Sequence, residues 1–166
     1  MGDLTEPSPL LEVLLGTAGL VVVMIFHGFG VRFVNRRYSA RWVRVDAQTP
    51  HWRVNLLLVV VITAFTLVHL IETLLWAVPI HRLGMLQTLR DSYYFVLESY
   101  TTLGEGDVTL PDQWRLIGPI IAMTGLFTFG WTGSVLVGIM TEYSRLDRSR
   151  ARAVQEEGRA PPGEPQ

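Results

Sequence analysis

The sequence predicts an all-α membrane protein with three transmembrane helices, plus a re-entrant half-helix and an irregular loop between the second and third. Three observations carry that expectation. Three apolar runs are long enough to cross about 30 Å of hydrocarbon, which takes about 20 residues of helix. Between the second and third runs lies Thr101-Thr102-Leu103-Gly104-Glu105-Gly106-Asp107, a glycine-spaced stretch unsuited to a helix. The chain has no lysine, and its arginines gather in the stretches that follow the first and third runs.

Composition agrees. Hydrophobic residues make up 49% of the chain and charged residues 17%, the balance of an integral membrane protein rather than a soluble or disordered one. A net charge of -1 with the two signs segregated along the chain gives no reason to expect nucleic acid as a partner. The absence of cysteine excludes a disulfide framework and any thiolate metal site.

Taken in order, residues 1–9 form an acidic N-terminal stretch without the basic region of a signal peptide, so the run after it is retained as a span. The first helix is expected over 10–31. Its polar positions, Glu12, Thr17 and His27, do not repeat like a voltage sensor, and His27 reads as an interfacial residue near the inner end. Residues 32–53 carry Arg32, Arg36, Arg37, Arg41, Arg44 and Arg53 interleaved with Phe33, Tyr38 and Trp42. That pattern suits an interfacial helix on anionic lipid, with a gating linker as the sharper alternative.

The second helix is expected over 54–80. His69 and Glu72 lie three apart and share one face. Ionisable residues inside a span are functional candidates, because lipid exposure is expensive. Hydrogen bonds to the half-helix or the first span are expected of them, with proton sensing as the other role; two donors are too few for a metal. The half-helix is expected over 91–101 and the loop over 102–107. Backbone that is not helical leaves polar groups that lipid cannot satisfy, so this loop must line a protein-enclosed, hydrated path.

The third helix is expected over 115–140. Small residues recur there at Gly118, Ala122, Gly125, Gly130, Gly133, Ser134 and Gly138, suited to close packing, and Gly125 is the position placed to act as a hinge. The polar stretch 141–166 carries Arg145, Arg148, Arg150, Arg152 and Arg159 and is expected to be disordered at its proline-rich end. The positive-inside rule puts the two arginine-rich stretches in the cytoplasm and the N-terminus outside, although Arg82, Arg90 and Arg115 reduce the contrast.

The run Glu98-Ser99-Tyr100-Thr101-Thr102-Leu103-Gly104-Glu105-Gly106-Asp107, followed by Trp114 and by a span containing Gly125 and Phe129-Gly130, resembles the pore module of tetrameric potassium channels of the bacterial type. The resemblance covers about 54–140. It implies a homotetramer in a bacterial inner membrane. It also implies a filter at Thr101, Thr102, Leu103, Gly104, Glu105, Gly106 and Asp107. In such a filter the oxygens of Thr102, Leu103, Gly104, Glu105 and Gly106 would replace the water shell of potassium or another cation, sodium or calcium included. Gly104 and Gly106 permit the backbone signs that aim successive carbonyls to one side.

Two positions depart from the family. Leu103 replaces valine or isoleucine, a mild change; Glu105 replaces an aromatic residue that braces the filter. Tyr93, Tyr94 and Phe95 on the half-helix are available to support the loop, so Glu105 could accept a phenolic hydrogen bond in the same bracing role. It could equally turn outward as a ring of four acids that concentrates cations, including divalent ones. Glu98 stands where related channels carry a carboxyl that shares a proton with the filter aspartate, here Asp107, either coupling the filter to pH or bracing it.

The expected function is therefore passive conduction by a pore-forming subunit, potassium first. The alternatives are a non-selective cation channel owing to Glu105 and a non-conducting accessory subunit. No enzyme is expected, since the chain lacks an HExxH pair, a serine nucleophile elbow and a phosphate-binding glycine loop with lysine, and no cofactor beyond the permeating ion is implied.

Overall fold

A computed structural model describes residues 9–46 and 48–157. Four α-helices account for most of them: α1 (Pro9–Trp42), α2 (His51–Arg82), α3 (Leu89–Tyr100) and α4 (Ile117–Glu157), with a single 3₁₀ turn (Asp112–Trp114) before α4. Three of these, α1, α2 and α4, are long and apolar enough to cross a membrane. The chain is a multi-pass membrane protein.

Its burial pattern is that of a lipid-facing molecule. Large apolar side chains lie exposed along all three long helices, among them Leu14 and Ile25 on α1, Val59 and Leu67 on α2, and Leu126 and Val137 on α4. Polar side chains are drawn inward: His27, Glu72, Thr73, Thr124 and Thr128 are fully buried. Lipid tails reward no apolar face over another, so the interior is selected for small and polar side chains that make specific contacts.

Two apolar clusters hold the helices together. The first joins Val23 of α1, Trp76 and Ile80 of α2, Phe95 and Val96 of α3, and Ile121 of α4. The second gathers Val31, Val34 and Tyr38 of α1 with Val61 and Phe65 of α2 and Ile139 of α4. α1 packs on both α2 and α4, and α3 is wedged between the same two helices. Near the start of α1 the buried Glu12 carboxylate accepts the Leu116 backbone N–H just before α4.

The helices overrun the spans expected from hydropathy, and each overrun has a packing reason. The arginine-rich segment is not a separate interfacial helix. It continues α1 to Trp42, because Tyr38, buried in the second cluster, keeps one face of the extension on α2 and α4 while Arg36, Arg37 and Arg41 stay exposed. α4 runs beyond residue 140 to Glu157, tied by Tyr143, whose hydroxyl donates to Asn55 Oδ1 at 2.7 Å, and by Arg150, which donates to the Thr49 carbonyl at 2.5 Å. The proline-rich end expected to be disordered lies outside the described residues, as does most of the N-terminal stretch 1–9.

Candidate functional site

The half-helix α3 starts at a built cap. Thr88 is extended, its hydroxyl accepts the Asp91 N–H at 3.0 Å, and Asp91 places a negative charge in the first turn. Its other end delivers the loop. Thr102 N–H donates to the Ser99 carbonyl at 3.0 Å and Leu103 N–H to the Glu98 carbonyl at 2.8 Å, the paired bonds of a Schellman ending. Such an ending needs a left-handed residue, normally glycine. Here it is Thr102, at φ 60°, a β-branched residue in a region it adopts at a cost.

Left-handed residues then alternate along the loop. Thr102, Gly104 and Gly106 have φ of 60°, 60° and 77°, whereas Leu103 and Glu105 between them are not left-handed. In ordinary extended chain successive carbonyls point to opposite sides; a reversal of backbone sign at every second residue turns them to the same side. Residues Thr101 to Asp107 are exposed in the single chain, with Leu103 at 64%. A cleft of 520 Å³ between the loop and the start of α4 is lined by Glu98, Ser99, Thr102, Pro119 and Ala122 among others.

The side chains around the loop are divided between bracing and packing. Tyr94 O–H donates to Glu105 Oε2 at 3.1 Å, so this carboxylate turns back onto its own half-helix. The Tyr93 hydroxyl lies 3.2 Å from that of Thr73 on α2, and Phe95 is buried in the first cluster. Glu98, 5% exposed, does not share its carboxyl with Asp107. Its Oε1 accepts the Gly106 N–H at 3.3 Å while Asp107 Oδ1 accepts the Val108 N–H at 3.0 Å, so each acid is engaged by a backbone donor of the loop. Glu98 Oε2 is buried without a hydrogen-bond partner among the described residues.

Gly125 sits inside an unbroken α4. A Cβ at this position would lie 1.9 Å from the Tyr100 carbonyl oxygen, so the glycine is what lets the end of α3 rest on α4.

Behind that contact the structure assembles a polar knot that hydropathy and spacing leave scattered. Glu72 is wholly buried. It accepts from His27 Nδ1 at 2.8 Å and from Tyr100 O–H at 2.6 Å, and His69 Nδ1 lies 3.2 Å away. The Tyr100 hydroxyl also lies 2.5 Å from Thr128 Oγ1 and 3.0 Å from His69 Nδ1. Thr132 Oγ1 touches both histidines, 3.4 Å from His27 Nε2 and 3.2 Å from His69 Nε2. The expected hydrogen bonds of His69 and Glu72 to α3 and α1 are present. His27, however, is no interfacial residue; it is fully buried because the pairing with Glu72 pulls it inward against Trp131. The signal for α4's part was legible: Thr124, Thr128 and Thr132 recur every fourth residue in an otherwise apolar helix.

A membrane helix pair that carries a half-helix and an alternating-sign loop between its members has the architecture of a pore-loop protein. A family model described as an ion channel matches residues 56–142, more than half of the chain and most of that architecture, and the chain belongs to this ion channel family. No curated protein and no solved structure matches it.

Proposed function

We propose that the chain is the pore-forming subunit of a homotetrameric, potassium-permeable cation channel in which four copies of the 102–106 loop surround the ion path. The observation that supports this reading is the alternation of left-handed residues at Thr102, Gly104 and Gly106, immediately after a half-helix that ends at the loop. One loop presents carbonyls from one side only; a dehydrated cation needs oxygens on all sides, and four copies around an axis supply them. The Thr102 hydroxyl and the carbonyls from Thr102 to Gly106 are the proposed ligands, with potassium released and rebound between successive sites. The C-terminal end of α3 points its partial negative charge at the inner mouth and favours cations there.

Glu105 bears on selectivity. The hydrogen bond from Tyr94 supports the bracing role, in which the carboxylate substitutes for an aromatic side chain behind the carbonyls. Arginines on the extension of α1 and along α4 support, by the positive-inside rule, a cytoplasmic C-terminal end, and suit contact with anionic lipid headgroups in a bacterial inner membrane.

Purified full-length chain in liposomes is expected to pass potassium; silence in vesicles that contain correctly inserted protein sinks the proposal and favours an accessory subunit. Bi-ionic measurements with potassium, sodium and calcium then test the brace. Potassium preference is expected for the parent chain and for Glu105→Tyr, whereas Tyr94→Phe, which frees the acid, is expected to raise sodium and calcium permeation. If Tyr94→Phe leaves all three unchanged, the acidic-ring reading of Glu105 replaces the brace.

A further inference from the structure

From the knot between α1, α2 and α4 we infer a second site: a binding site for a divalent transition-metal ion of the zinc class, held by His27 Nδ1, His69 Nδ1 and the Glu72 carboxylate. It goes beyond the channel reading and does not depend on it.

The donors are already gathered. The three ligand atoms lie within 4.8 Å of one another, although they come from two helices and from positions as far apart in sequence as 27 and 72. Zinc with bonds of about 2.0–2.2 Å in tetrahedral geometry needs donors about 3.3 Å apart. His27 Nδ1 is 2.8 Å from Glu72 Oε1 and His69 Nδ1 is 3.2 Å from Glu72 Oε2, so small side-chain rotations open the space and no helix has to move. The Tyr100 oxygen, 3.0 Å from His69 Nδ1, stands beside the fourth position. Two imidazoles and one carboxylate form a donor set suited to zinc and its neighbours, and not to magnesium or calcium, which take oxygen.

The hydrogen bonds around the rings point the same way. Without a cation, Glu72 pairs with His27 Nδ1, and His69 Nδ1 faces both Glu72 Oε2 at 3.2 Å and the Tyr100 hydroxyl at 3.0 Å; in the arrangement where both Nδ1 atoms carry protons toward Glu72, both Nε2 atoms are bare. Both face Thr132 Oγ1, and a hydroxyl has one proton to give, so in that arrangement one ring nitrogen is left without a donor. With a metal on both Nδ1 atoms the tautomers reverse. Each Nε2–H then donates to one of the two lone pairs of Thr132 Oγ1, and the Thr132 proton is free for a carbonyl of the preceding turn, as Thr124 and Thr128 donate to Ile120 and Thr124 carbonyls at 2.9 and 3.1 Å. Every polar atom of the ring is matched. A metal-bound histidine whose far N–H is fixed by an oxygen acceptor is the ordinary outer shell of a protein zinc site. The metal also neutralises a carboxylate whose residue is 0% exposed.

Uptake of metal by the full-length chain in mild detergent tests the site without any flux measurement. Dialysis against buffered Co²⁺ is expected to load one ion per chain with the strong visible bands of tetrahedral cobalt, displaced by Zn²⁺ and not by Mg²⁺. Thr132→Val keeps all three ligands and removes only the acceptor for the rings, so it is expected to weaken binding by about 10–100-fold. His27→Gln and Glu72→Gln are expected to weaken it further. Circular dichroism on each variant shows that the helices are intact. A parent chain of native helix content that takes up no more Co²⁺ than the His27→Gln, Glu72→Gln double variant overturns the site.

Discussion

α2 and α3 end in the same backbone motif and differ in the residue that makes the turn. After α2, Gly84 at φ 71° is the left-handed residue, with Gly84 N–H on the His81 carbonyl at 3.0 Å and Met85 N–H on the Ile80 carbonyl at 3.1 Å. After α3, the same two bonds close around Thr102 at φ 60°. A glycine takes that conformation freely, whereas a side chain raises its energy by about 1–2 kcal/mol. The surroundings explain why the second ending tolerates it. Gly84 is exposed, and a Cβ there would meet nothing within 4 Å. The last residue of α3, Tyr100, is 1% exposed, its hydroxyl held by Glu72 and Thr128 and its carbonyl seated on Gly125. A strained turn persists where neighbours over-determine it, and here the strain falls at the first residue of the loop that carries the proposed function.

The comparison can be broken at the clamp. Glu72→Ala leaves the buried His27 imidazole, the half-buried His69 imidazole and the Tyr100 hydroxyl without this acceptor. It is expected to lower stability by about 3–5 kcal/mol, measured by thermal unfolding in mild detergent; a loss below 1 kcal/mol means that the knot does not hold α3. Gly125→Ala drives a methyl group into the Tyr100 carbonyl and is expected to cost about 1–3 kcal/mol in the same assay. Gly133→Ala, with nothing within 4 Å of the added carbon in the single chain, should be neutral or slightly stabilising in monomeric detergent preparations.

Two exchanges of the turn residues sharpen it. Gly84→Thr recreates at the free end the strain that α3 carries, and should lower stability by about 1–2 kcal/mol without affecting ion flux. Thr102→Gly relieves the strain and is expected to raise stability by about 0.5–1 kcal/mol while reducing potassium flux through loss of a hydroxyl ligand. If Thr102→Gly conducts as well as the parent, the threonine is in the turn for some reason other than ion coordination.

Much of the fold is legible because membrane physics acts locally. The three spans follow from run length alone, and the Gly104 and Gly106 spacing announces an irregular loop before any coordinates do. The Tyr94 to Glu105 brace is also readable, since donor and acceptor sit eleven residues apart across one turn. The helix overruns are not readable, because hydropathy falls to polar values at Arg36 and Glu142 while the backbone continues on the strength of Tyr38, Tyr143 and Arg150 contacts. Nor is the true setting of Glu98, whose choice of the Gly106 N–H over Asp107 depends on how the loop folds back.

Sequence by itself determined that this chain crosses the membrane three times and that a strand of irregular backbone hangs between the second and third crossings. Both are consequences of hydrocarbon thickness and of the need to satisfy backbone polar groups, which any stretch of about 20 residues reveals on its own. Only the tertiary structure decided that His27 meets His69 and Glu72, and that Gly125 is a seat for α3. Those outcomes rest on which faces of separate helices are turned toward one another, a property that no single helix encodes in its own spacing.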